Sequence, residues 1–310
     1  MNLIERAGSQ LRLKSAKSLI EKAADRLGQA GSAASEGFAS AADLIRPAAP
    51  PQSEAEPQSQ PDVARRETRR QITIDFDRLR AGGFALPRDQ SGVAEEFRLI
   101  KRPLVNVAVP QGQPTVKNHN VIMVTSAIPG EGKTFVSMNL AFSMASEHDV
   151  HVLLIDADVA KPSVPGLLGF EADTGLIDVV SDPTIDLANV MVRTNIENLT
   201  LLPSGRSRPG SSELLASGRM ARFVDDVSRR YADRIIIFDS PPVLARSEPI
   251  VLAKHVGQVV FVVEAERTSR TAVDEAIALL GPERIGGIVL NKAPSLPTSD
   301  GFGQHYRQYS

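Results

Sequence analysis

The sequence predicts an α/β fold: a mostly parallel sheet with helices on both faces, preceded by an N-terminal extension that lies outside it. Three observations carry this. From residue 120 onward, short Val/Ile/Leu-rich runs alternate with segments of helical periodicity, as buried parallel strands alternate with their crossover helices. The first run leads straight into a glycine-rich turn and then a helical segment, and two later runs end in aspartate. Third, composition splits the 310-residue chain at about residue 70 to 90, because everything before that lacks strand-like runs and is rich in Ala, Ser, Gln and Pro.

Taken in order, residues 1–45 read as an amphipathic helical extension. Leu3, Ile4, Ala7 and Leu11, then Leu19, Ile20, Ala23 and Leu27, recur at helical spacing, and Arg6, Arg12, Lys14, Lys17, Lys22 and Arg26 outweigh Glu5, Glu21 and Asp25 on the polar face. That balance suits a membrane surface, a partner helix or plain solvent. Residues 46–90 form a Pro/Ala/Ser-rich linker, too polar and proline-rich to pack along P-A-A-P-P-Q-S-E-A-E-P-Q-S-Q-P at 47–61. Its Arg65, Arg66, Arg69 and Arg70 make a basic knot, either solvated or in contact with anionic lipid. The main domain spans 91–292. Strands are expected at 121–125, 150–155, 199–202, 234–238, 259–263 and 285–290, their continuous apolar content predicting burial on both faces, and helices at 134–147, 211–231, 248–256 and 268–280. Residues 293–310, with two prolines, two glycines and little apolar content, are expected to form a flexible tail.

Composition removes several function classes. Lys+Arg 35 against Asp+Glu 37 gives a net charge of -2, so no global field advertises nucleic acid as a partner. The absence of cysteine excludes disulfides, thiolate catalysis and Cys-bound zinc. Histidines at 119, 148, 151, 255 and 305 are too scattered to suggest a metal cluster. The apolar runs fall short of the ~18 residues a membrane span needs, and the first residues lack the apolar stretch of a secretory signal.

Chemistry concentrates at the ends of three strands. The first runs into Ser126-Ala127-Ile128-Pro129-Gly130-Glu131-Gly132-Lys133-Thr134 and a helix, the context of a phosphate-binding loop. Glycines let backbone N–H groups close around phosphates, Lys133 would reach the β- and γ-phosphates, and the Thr134 hydroxyl would ligate Mg²⁺. In the pattern G-x-x-x-x-G-K-[ST] the first glycine falls at Ala127. A second strand ends at Asp156-Ala157-Asp158, and a third at Asp239-Ser240-Pro241-Pro242. Ligands of open α/β sheets bind beyond the carboxyl ends of the strands, so Asp156, Asp158 and Asp239 are expected to converge on Lys133 and Thr134. Their mutual repulsion calls for a divalent cation, which Mg²⁺ with a nucleotide triphosphate would supply, making Thr134, Asp156, Asp158 and Asp239 candidate ligands.

With these residues in place, the chain from about residue 90 to 310 resembles the bacterial tyrosine kinases of the P-loop class. P-G-E-G-K-T, the D-A-D of a second Walker segment and the D-S-P-P of Walker B stand as in that family, as do Leu202-Pro203-Ser204-Gly205, Pro209 and Ser212-Glu213-Leu214-Leu215. Glu95, Arg98 and Lys101 resemble its Glu-x-x-Arg-x-x-Arg subunit contact, with lysine in place of the last arginine; Ala160 stands where an arginine is expected. The run E-E-F-R-L-I-K-R-P-L most resembles the exosortase-associated autokinases of exopolysaccharide gene clusters. The resemblance implies a P-loop NTPase fold using ATP and Mg²⁺, with Pro129, Gly130, Glu131, Gly132, Lys133 and Thr134 around the phosphates and Lys133, Asp156, Asp158 and Asp239 as the catalytic set. Asp156 would orient or deprotonate the incoming phenol while Asp158 and Asp239 hold the Mg²⁺ shell. Asn291 resembles the purine contact, or else caps the strand end. It further implies a homo-oligomer in the form of a ring, a membrane chain-length determinant or polysaccharide co-polymerase as partner, a phosphatase, no nucleic acid, and a cytoplasmic location at the inner face of the plasma membrane.

Of three tyrosines, Tyr306 and Tyr309 lie in the last five residues, where no core needs filling, and read as phosphoacceptors or as incidental surface tyrosines; Tyr231 reads as a packed residue. Two functions stay open: an autokinase that regulates exopolysaccharide export, and an assembly ATPase or scaffold related to the partitioning ATPases. The latter carry an extra lysine where this chain has Ile128.

Overall fold

The computed structural model describes residues 70–294. The expected helical extension, the linker up to residue 69, and Tyr306 and Tyr309 lie outside the described residues. In chain order the elements are α1 (Phe76–Ala81), α2 (Gly92–Ala108), β1 (Val121–Ser126), α3 (Lys133–Ala145), β2 (His151–Asp156), α4 (Val164–Leu168), α5 (Leu176–Ser181), α6 (Leu187–Val190), β3 (Val192–Arg193), β4 (Leu199–Leu202), α7 (Ser211–Leu215), α8 (Gly218–Arg230), β5 (Arg234–Asp239), α9 (Glu248–Leu252), β6 (Gln258–Glu264), α10 (Arg270–Leu280), a 3₁₀ turn (Pro282–Arg284) and β7 (Ile285–Asn291).

The strands form one seven-stranded sheet in the order β3-β4-β2-β5-β1-β6-β7, parallel except for the short β3–β4 pair. Alternate residues of each strand feed opposite layers. Ile122, Val124, Val152, Leu154, Ile235 and Ile237 pack with Leu140 and Phe142 of α3 and Phe97 and Leu104 of α2. Val121, Met123, Leu153, Ile155, Ile236 and Phe238 pack with Met220 and Val224 of α8 and Ala276 of α10. Strand order switches sides at β1, which lies between β5 and β6 and runs parallel to both. That switch opens a crevice at its carboxyl end, where the glycine-rich loop sits.

The structure departs from expectation in identifiable places. The helix expected over 211–231 is broken, because Ser217 caps a new one: its hydroxyl oxygen accepts from the Arg219 N–H at 3.1 Å and donates to the Leu214 carbonyl at 2.6 Å. The helix expected from 268 begins at Arg270, since Ser269 accepts from the Ala272 N–H at 3.2 Å and so caps it. The helix expected over 248–256 stops at Leu252. Burial on both faces fails for β7, an edge strand with Ile288 57% and Leu290 61% exposed. α4, α5, α6 and β3 are too short to leave a periodic signal. Arg70 belongs to the fold: its guanidinium lies 5.7 Å from the Phe170 ring centroid and donates to the Glu171 carbonyl. Among the described residues, no helix is long and apolar enough to cross a membrane.

Candidate functional site

The loop between β1 and α3 turns on Gly130 and Gly132, with φ +92 and +93, values that only glycine adopts without strain. Gly132 caps α3 with no side-chain hydrogen bond, leaving the helix's first N–H groups free for an anion. Lys133 and Thr134 follow at once. The Lys133 ammonium pairs with the Asp158 carboxylate at 2.9 Å. The Thr134 hydroxyl donates to Asp239 Oδ2 at 2.7 Å and lies 3.2 Å from the Ser163 hydroxyl. Ser137, one helical turn beyond Lys133, donates to Asp239 Oδ1 at 3.0 Å. Asp156 and Asp239 are register partners across β2 and β5, so both carboxyls stand side by side at the end of the sheet.

Asp156 is fully buried. Its Oδ1 accepts the Asp158 N–H at 3.2 Å, and its Oδ2 accepts the N–H groups of Ser163 and Val164, each at 3.1 Å. Burial, then the adjacent Asp239 charge, pushes its carboxyl up to about 8, against the pull of the Val164 and Asp158 N–H groups. Burial likewise pushes Asp239 up to about 6, opposed by the Lys133 charge and the hydroxyls of Thr134 and Ser137. The expectation that Asp156 orients or deprotonates a phenol meets an enclosed side chain in this arrangement, its two oxygens held by three backbone N–H groups. Asp158, paired with Lys133 at the cleft, is the better placed carboxylate.

The three carboxylates do come together at Lys133 and Thr134, but not as one cluster of ligands. Among the described residues no group of three or more His, Asp or Glu side chains is arranged to hold a metal ion. Asp158 is engaged by Lys133 and Asp156 by backbone N–H groups, which leaves Thr134 and Asp239 as the pair suited to Mg²⁺. The fit is chemical as well as positional, because two buried carboxyls stand side by side at the strand ends and a cation beside them would offset both their burial and their mutual repulsion.

Asn291 donates from Nδ2 to the Glu131 carbonyl at 2.8 Å, and a Cβ on Gly132 would come within 2.0 Å of that nitrogen. That bond tethers the phosphate loop to the end of β7. Lys292 donates to the Gly130 carbonyl at 2.8 Å. Lys292, Ser137, Ser163 and Thr268 were missed in the sequence; only Ser137, four residues after Lys133 on one helix, carries a readable spacing. The Glu131 side chain is buried outside the cradle, so any phosphate contact comes from its backbone.

On α2, Glu95 and Arg98 pair on the outer face near Leu99, which is 52% exposed. Lys101 does not join them. It turns inward, 6% exposed, donating to the Ser143 carbonyl at 2.7 Å and pairing with Glu147 at 2.6 Å, so its expected place in a subunit contact is corrected. Cavities of ≈ 590 and ≈ 640 Å³ lie elsewhere, beside α8, and contain none of the loop or strand-end residues.

The ParA family, described as the NUBPL iron-transfer P-loop NTPase, matches residues 117–293. The putative tyrosine-protein kinase CapB of Staphylococcus aureus is 28% identical over 209 residues, 67% of this chain and 87% of that protein. Tyrosine-protein kinase wzc of Salmonella typhimurium is 32% identical over 175 residues, 56% of this chain but only 24% of that longer protein. The crystal structure of the VpsO kinase domain matches with a TM-score of 0.55 at 30% identity, covering 65% of this chain and 96% of that one.

Proposed function

We propose that this chain, which belongs to the ParA family of P-loop NTPases and whose relatives are bacterial tyrosine kinases, transfers the γ-phosphoryl group of ATP to Tyr306 and Tyr309 in the tail of a neighbouring subunit. The observation that carries this is the meeting of a glycine-turned loop, Lys133 on Asp158, and Thr134 on Asp239 at the carboxyl end of one parallel sheet. Backbone N–H groups of 130–134 would cradle the phosphates. Thr134 and Asp239 would hold Mg²⁺, which supplies neutralising charge to the β- and γ-oxygens.

In the nucleotide-free arrangement the Lys133 ammonium is occupied by Asp158. Triphosphate binding claims that ammonium, and Asp158 is released with a free oxygen at the cleft. The phenol oxygen attacks the γ-phosphorus in line, the bond to the bridging oxygen breaks, ADP departs, and the phenol proton passes to Asp158. Little base strength is needed in a loose transition state, so positioning supplies most of the rate.

Assembly would use the outer face of α2, with Glu95, Arg98 and exposed Leu99 meeting a neighbouring subunit in a ring. The domain would begin near residue 70 rather than at 91, because Ile74, Leu79, Phe84 and Leu86 are buried in its core. Regulation of exopolysaccharide export through a membrane co-polymerase, with a phosphatase resetting the tail, is the setting we propose for this activity. Iron–sulfur cargo, by contrast, calls for thiolate ligands, and the chain has no cysteine. The alternative of a partitioning-type assembly ATPase finds no lysine at Ile128.

Mass spectrometry after incubation with Mg-ATP tests the reading. Phosphate is expected on Tyr306 and Tyr309, and Tyr306→Phe with Tyr309→Phe should remove most incorporation while ATP binding persists. Equal incorporation in that double variant would place the acceptor elsewhere.

A further inference from the structure

We infer that the Glu131 carboxylate is the positioning residue of the phosphate loop: it does not touch the nucleotide but holds the loop's N–H groups in the orientation that phosphate binding requires. The inference rests on the nucleotide-site reading above.

Glu131 is 0% exposed although Pro129 and Gly130 beside it are exposed. Its Oε2 accepts the Ile128 N–H at 2.7 Å, and its Oε1 accepts the Glu264 N–H at 3.3 Å and the Thr268 hydroxyl. One side chain thus joins the start of the loop to the end of β6 and to the turn before α10. All three partners present hydrogens. Only a carboxylate, with acceptor capacity on both oxygens and no N–H of its own, satisfies them together; a glutamine amide would set its NH₂ against a backbone N–H.

The neighbouring carbonyls show what this accomplishes. The Gly130 carbonyl is held by Lys292 and the Glu131 carbonyl by Asn291, both at 2.8 Å. In a trans peptide the N–H points opposite to the C=O. Holding these carbonyls toward the end of β7 therefore turns the N–H groups of Glu131 and Gly132 the other way, into the cradle. Glycines at φ +92 and +93 have no strong preference for that arrangement over others, so the restraint has to come from outside the loop. Lys292 and Asn291 supply it at those two carbonyls, and the Glu131 carboxylate supplies it at the start of the loop by anchoring the Ile128 N–H to the Glu264 N–H and the Thr268 hydroxyl, so the cost of ordering the loop is met during folding rather than on binding.

The test is titration with Mg-ATP and steady-state kinetics on Glu131→Gln, Thr268→Val and Thr268→Ser. Loss of charge-assisted bonds predicts ATP binding weaker by roughly 10- to 100-fold in Glu131→Gln and by ~3- to 10-fold in Thr268→Val. Thr268→Ser, which keeps the hydroxyl, should restore affinity. KM for ATP should rise while kcat at saturating ATP stays within about threefold, since the transferring groups are intact. ATP affinity within twofold of wild type in both Glu131→Gln and Thr268→Val would overturn the inference, whatever happens to thermal stability. If Glu131→Gln does not fold, the Thr268 pair decides alone. Wild type that fails to bind Mg-ATP would instead defeat the nucleotide-site reading itself.

Discussion

The two flanks of β1 support the same loop by different means. On the β5–β2 side stand Asp239 and Asp158, buried acids that engage Thr134 and Lys133, with Asp156 beside Asp239. On the β6–β7 side stand Glu264, Thr268, Asn291 and Lys292, which engage the loop through Glu131 and its carbonyls. The first flank carries charge toward the reaction; the second carries orientation. Losing the first should abolish chemistry, whereas losing the second should weaken binding.

The largest expected effect breaks the first flank at its cation. Lys133→Met removes the point charge on the β/γ-phosphates and leaves Asp158 buried without its partner, so ATP binding and phosphorylation should fall at least ~100-fold. Calorimetric titration with Mg-ATP reads this, and tight binding in the variant would contradict the site assignment.

A pH experiment sharpens the comparison. Asp156 and Asp239 have folded-state pKa values raised to about 8 and about 6 from 3.8, so the folded state holds their protons more tightly than the unfolded chain does. Their contribution is fully present below ~4 and is lost as pH rises, through about 6 for Asp239 and about 8 for Asp156. Nucleotide-free protein should therefore melt at progressively lower temperature between pH 5 and 8, roughly. Asp239→Asn removes the charge beside Asp156, so it should flatten that slope and raise the melting temperature near pH 8, at the expense of activity. A slope unchanged in Asp239→Asn would show that the two carboxyls are not coupled.

The smallest effect separates two faces of α2. Glu95→Ala with Arg98→Ala should dissociate the oligomer and leave the melting temperature nearly unchanged, because exposed pairs contribute ~0–1 kcal/mol. Lys101→Ala should do the reverse, costing about 1–3 kcal/mol through its lost buried bonds. Size-exclusion chromatography and thermal melts of both variants distinguish the roles; dissociation by Lys101→Ala at unchanged stability would restore it to the contact.

How far the sequence could be read follows the same division. The parallel sheet, the loop at 129–134 and the three strand-end aspartates were legible because each depends on residues adjacent in the chain: a buried strand is a run of Val, Ile and Leu, and a phosphate loop is glycines before Lys-Thr. Which aspartate is enclosed was not legible, since Asp156 and Asp158 differ by two positions and only the turn through Ser163 and Val164 decides which one the backbone wraps. Lys101 looked like an outer-face residue because α2 was read without α3, against which it packs. Glu131 looked like a loop residue facing phosphate, while its partners Glu264 and Thr268 lie more than 130 residues away along the chain. Sequence alone determined the elements, their order and the chemistry available at their ends, because local periodicity and short motifs encode these. Tertiary structure alone decided which groups are buried, which are paired and which hold others in place, because burial and hydrogen bonding are set by neighbours that the chain brings together only on folding.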